Sequence, residues 1–130
     1  MRARRTRIAE RYDEAFSELD EFVESPHVVA GVRPAWHLYP LRLRLEALSV
    51  DRDRFIEELE RRNIGVSVHF IPLHLLEHFQ RRFGLGPGDF PVAESAFARV
   101  MSLPLYPSMS DGDVGDVISA VRRIVHRFAR

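Results

Sequence analysis

Gly65-Val66-Ser67-Val68-His69-Phe70-Ile71-Pro72-Leu73-His74 is the stretch that decides how the rest of the chain is read. Val66, Val68 and Phe70 alternate with Ser67, His69 and Ile71, the period-2 pattern of a half-buried strand. Asn63-Ile64-Gly65 just before it has the make-up of a helix end, with residues that tolerate positive φ. Pro72 has no N–H to give a ladder and so stops the strand. The pattern therefore predicts a strand that ends abruptly and delivers two imidazoles, His69 and His74, at or just past its carboxyl end. Loops after strand ends are where α/β proteins tend to meet ligands.

Working outward, 130 residues suit one domain spanning 1–130, with a globular balance of 45% hydrophobic and 29% charged residues. The formal net charge is +0, so no global field draws nucleic acid or an acidic membrane. Cysteine is absent, which removes disulfides and thiolate metal sites. No apolar run reaches the roughly 20 residues of a membrane span, and the Arg-rich start lacks a secretory core, so a cytoplasmic location is expected. All 19 basic residues are Arg. With no Lys, no side chain of this chain can form a Schiff base or serve a P-loop.

Apolar residues at helical spacing from Ile8 through Tyr12, Phe16, Leu19 and Val23 predict an opening helix that ends near Ser25-Pro26. The Arg residues between 2 and 7 read as its solvated start, and a terminus opening directly into a helix reads as lying inside a longer chain. Residues 28–32 are β-branched and read as a short strand. Residues 36–45 form the next, with His37, Tyr39, Leu41, Leu43 and Leu45 on one face. Pro40 argues for an edge or a bulge there, and a buried His37 with a hydrogen-bond partner is the plainer reading of that residue. Asp51 caps a second helix with Phe55, Ile56 and Leu59 inside. The glycines from 84 to 88 lack the order of a phosphate loop and read as a turn. Pro91 opens a third helix with Val92, Ala96, Phe97 and Val100 inward. A short extended piece follows at 102–106. Ser110 and Asp113 then announce a capping box before a final helix. The expected fold is α+β, a small and largely antiparallel sheet covered by helices on one face.

His74-Leu75-Leu76-Glu77-His78 spells the H-x-x-E-H zinc motif. Pro72 leaves little helix ahead of it, and no third ligand with a supporting shell stands out, so no metal is expected. Nor do Ser, His and Asp fall in any triad order.

Six pieces, in order, carry a resemblance. They are Arg11-Tyr12; Ala35-Trp36-His37-Leu38-Tyr39; Asp51-Arg52-Asp53-Arg54-Phe55-Ile56; the 65–75 stretch; Gly88-Asp89-Phe90-Pro91-Val92-Ala93-Glu94; and Ser102-Leu103-Pro104-Leu105-Tyr106-Pro107. Together they resemble the C-terminal part of the DegT/StrS family of PLP-dependent sugar-nucleotide aminotransferases. The resemblance implies the small C-terminal domain of a fold type I aminotransferase, whose large domain holds the pyridoxal phosphate and its Lys. It implies amino transfer from an amino acid, usually glutamate, to a keto-sugar nucleotide, in a site at a homodimer interface. On that footing His69, His74 and Phe70 would contact substrate, with His37 and Tyr39 as further candidates, and no residue of this chain would be catalytic. The competing reading of His69 is a strand histidine packed against the opening helix. The opening helix, through Tyr12, Phe16 and Leu19, is expected to help form an exposed surface for the large domain. The alternative for the chain as a whole is a self-standing interaction or dimerisation module of the same fold.

Overall fold

The computed structural model describes residues 2–130. Its elements are α1 (Arg2–Phe16), β1 (Val23–Glu24), β2 (Tyr39–Leu43), α2 (Arg52–Glu60), α3 (Glu77–Phe83), α4 (Pro91–Arg99), β3 (Val100–Leu103) and α5 (Asp111–Phe128), with short 3-10 turns at Ser17–Leu19, Leu45–Ala47 and Leu73–Leu75. The strands form one antiparallel sheet in the order β1-β2-β3. The fold class is the expected α+β.

Alternation along β2 builds the core. Tyr39, Leu41 and Leu43 are fully buried, whereas Arg42 between them is exposed. Over the apolar face lie Ile8, Tyr12 and Phe16 of α1 and Val114, Val117, Val121 and Ile124 of α5, joined by Phe55 and Leu59 of α2. The other face of β2 meets α4, where Arg42 borders a shallow depression with Pro91, Val92 and Arg99. Pro40 pairs with Ser102 in the middle of the sheet. It is tolerated because β1 pairs only with Leu43 and Arg42, so β2 has a single neighbour beside Pro40.

Both ends of α2 and the start of α5 follow the sequence signals. Asp51 accepts from the Arg54 N–H at 2.8 Å, and Ser110 and Asp113 form the reciprocal capping box of α5. At the end of α2, Asn63 adopts φ 60°, with Ile64 N–H on Leu59 O and Asn63 N–H on Glu60 O. This pair of bonds is the Schellman motif, here built on Asn.

Five expectations are corrected. The opening helix stops at Phe16 because Val23 and Glu24 leave it to pair with β2. Residues 28–32 form no strand: no neighbouring strand is there to pair with, Gly31 turns the chain at φ 84°, and Val29 and Val32 face solvent. No residue of α4 is buried, and Val92 is 82% exposed, because that helix lies on the open face of the sheet. Tyr12, Phe16 and Leu19 cannot form an exposed surface, because the chain's own core consumes them at 0, 1 and 4% exposure. The basic start is also less solvated than expected. Arg4 donates to Met109 O and pairs with Asp111 at 2.8 Å, tying α1 to the start of α5.

Candidate functional site

Beyond the Schellman turn, the chain crosses the outer edge of β3. The predicted strand shrinks here to one antiparallel bridge: Ser67 N–H donates to Ser102 O at 3.1 Å, and Ser102 N–H to Ser67 O at 2.8 Å. Alternation alone misled the reading. With no apolar layer above it, Val68 and Ile71 are each 49% exposed and Phe70 is wholly exposed.

His69 is half-buried, and its Nε2 lies 3.0 Å from the hydroxyl of buried Ser102. Its partner is therefore β3, not the opening helix. Ser102 holds this strand-like piece twice, through its backbone and through its side chain.

Pro72 leads into the 3-10 turn Leu73–Leu75, which carries His74 inward. Its Nε2 is 2.9 Å from Glu94 Oε1, and its ring lies 4.9 Å from that of Phe90. The same Glu94 oxygen accepts the Gly88 N–H at 2.8 Å. Those bonds, the one to His74 first, hold the Glu94 carboxyl below the usual carboxylate range. The glycine run behaves as a turn: Gly84 caps α3 at φ 66°, and Gly88 sits at φ 93°. The amides of Gly86 and Gly88, which a phosphate would need, are given to the chain's own Asp89 and Glu94.

The zinc motif is dispersed by this arrangement. His74 is in the 3-10 turn with Glu94, Glu77 is paired with Arg81, and His78 packs edge-on against Phe79. Among the described residues, no three His, Asp or Glu side chains are grouped to hold a metal ion.

His37 and Tyr39 part company. Trp36 takes φ 50°, which breaks the alternation before β2 begins, so His37 is exposed while Trp36 and Tyr39 are buried. The buried reading of His37 fails for that reason. Tyr39 donates to Asp13 Oδ1 at 2.6 Å, with Ser25 Oγ at 3.1 Å, and packs edge-on against Tyr12. Burial, then the bond to Asp13, pushes the Tyr39 hydroxyl's pKa far up, so it stays a donor. Tyr39 thus lies in the core.

Sequence reasoning missed Ser102 and Glu94. Both stood inside quoted pieces, but their roles depend on partners 33 and 20 residues away, which no local spacing encodes.

The chain as a whole is similar to known proteins. The chain matches the DegT/DnrJ/EryC1/StrS aminotransferase family over residues 1–122. It is 50% identical over 125 residues to the uncharacterized protein MJ1066 of Methanocaldococcus jannaschii, covering 96% of this chain and 32% of that one. It is 48% identical over 126 residues to the spore coat polysaccharide biosynthesis protein SpsC of Bacillus subtilis, again over 96% and 32% of the two chains. Among solved structures, the PLP form of Spr1654 of Streptococcus pneumoniae superposes with a TM-score of 0.85 at 28% identity, over 98% of this chain and 32% of that one. The chain spans about a third of the length of each of these relatives. It belongs to the DegT/DnrJ/EryC1/StrS aminotransferase family.

Proposed function

We propose that these 130 residues act as the small C-terminal domain of a PLP-dependent aminotransferase that moves an amino group, with glutamate as donor, onto a keto-sugar nucleotide. The observation that supports this is the match of nearly the whole chain to an aminotransferase family and to about a third of its relatives, among them a polysaccharide biosynthesis protein and a structure in its PLP form. Pyridoxal phosphate does not fit this chain's own residues, since no Lys is present to hold it covalently. In this reading the cofactor is held by a large domain, and the complete enzyme works as a cytoplasmic homodimer.

Within that enzyme we assign the substrate side to the 65–76 loop. Phe70 is wholly exposed at its crest and His69 is half-buried beside it, so both are placed to be covered by something outside this domain. An imidazole can donate to or accept from sugar hydroxyls, and can donate to phosphate oxygens. His74 belongs to the same loop but is 4% exposed, so its contribution combines shaping the loop with any contact to the ligand.

The test is a comparison of half-reactions in a full-length protein carrying this domain. His69→Ala and His74→Ala should leave the glutamate half-reaction nearly normal. They should weaken the keto-sugar half-reaction by roughly 1.5–3 kcal/mol each, about ten- to a hundredfold in specificity constant. Equal loss in both half-reactions would show the histidines to be structural and refute the assignment.

A further inference from the structure

Among the described residues from 65 to 100, His74 is the one that is buried. The segment has no apolar core of its own, so its shape must come largely from hydrogen bonds. Glu94, in the first turn of α4, gathers two of them on one oxygen. It takes the Gly88 N–H at 2.8 Å and faces His74 Nε2 at 2.9 Å, with the Phe90 ring tilted 4.9 Å from the imidazole. Three pieces meet there: the 3-10 turn after Pro72, the glycine turn and α4.

An ionised carboxylate has no proton to give. His74 must therefore donate through Nε2. We infer that Glu94 is the positioning residue of the imidazole loop, fixing the tautomer and orientation of His74 and joining that loop to the glycine turn. The positioning role does not depend on the substrate-side reading above.

Nitrogen-15 NMR of the imidazoles in the 130-residue chain, at a pH about two units above an ordinary histidine pKa, tests the positioning role without any activity. The wild-type protein should show His74 as the Nε2–H tautomer. In Glu94→Ala the persistent Nε2–H signal should be lost, and the Gly88 amide should exchange about tenfold faster. Glu94→Gln, whose amide oxygen still accepts, should retain the tautomer. The Asp113 amide, held by Ser110 in the α5 cap, should keep its protection in both variants and so report an intact fold. An Nδ1–H tautomer in the wild type, or unchanged Gly88 exchange in Glu94→Ala, would overturn the inference. In a full-length enzyme, Glu94→Ala should raise KM for the keto-sugar nucleotide more than it lowers kcat, with Glu94→Gln restoring it. If the NMR pattern holds while KM does not move, positioning stands and the substrate-side reading falls.

Discussion

Tyr39 and Phe70 are both aromatic residues on strand-like pieces, and the structure treats them in opposite ways. Phe70 touches nothing that excludes water, so Phe70→Ser should change the stability of the 130-residue chain by no more than about 0.5 kcal/mol. Fully buried Phe55 should cost roughly 3–5 kcal/mol on conversion to Ala, and chemical denaturation separates the two cases. For Tyr39 the informative change is Tyr39→Phe, which leaves the ring and removes the donor to Asp13. It should cost roughly 1–2 kcal/mol near neutral pH. Burial raises the Asp13 carboxyl above its ordinary value, and the Tyr39 bond pulls it part of the way back. Removing that bond raises the folded value further. The gap between wild type and variant should therefore be full above the variant's folded pKa and narrow as pH falls through both folded values. A gap that stays constant across that range would show that Tyr39 acts through packing alone.

At the scale of elements, a signal was legible wherever it was local. The cap at Asp51, the capping box at Ser110, the turn at Asn63 and the core face of β2 all came from residues within a few positions of each other, and all stand in the structure. The strand readings at 28–32 and 65–71 failed because a strand is made by its neighbour. Residues 28–32 have none, and 65–71 meets β3 at a single bridge. The same contrast predicts uneven local stability. Between α2 and β3 the chain is held by a few hydrogen bonds around Ser102 and Glu94, with Arg52 reaching Phe97 O at 2.6 Å. Trypsin should therefore cut first at exposed Arg81 or Arg82, while α5 remains protected. A first cut within α5 would contradict this picture. Conversely, Ser110→Ala should cost about 1 kcal/mol of global stability, because α5 covers the core and its cap is part of the cooperative unit.

For the whole molecule, charge is balanced in number but not in placement. Glu58 is 1% exposed and is ringed by Arg54, Arg61, Arg62 and Arg127 at 2.8–3.4 Å, which joins α2 to the end of α5. Its carboxyl is held below the ordinary range, first by the Arg62 hydrogen bond. Three others are depressed as well: Glu94 by His74, Asp111 by Arg4 and Asp113 by the Ser110 amide. A carboxylate with a lowered folded pKa contributes stability above its unfolded value and loses it as pH falls through the folded one. Asp13 runs the other way, but it is one group against four. The urea midpoint should accordingly decline as pH drops below the unfolded glutamate value of 4.5, and continue to decline through the aspartate value of 3.8. Glu58→Gln isolates the largest cluster. It should be less stable than wild type near neutral pH, because four guanidinium groups lose their shared counter-charge. It should also show a shallower acid limb, having one fewer depressed group to protonate. An acid limb as steep as that of the wild type would mean that Glu58 does not supply the acid sensitivity, which would then fall to the pairs at Glu94 and the α5 cap.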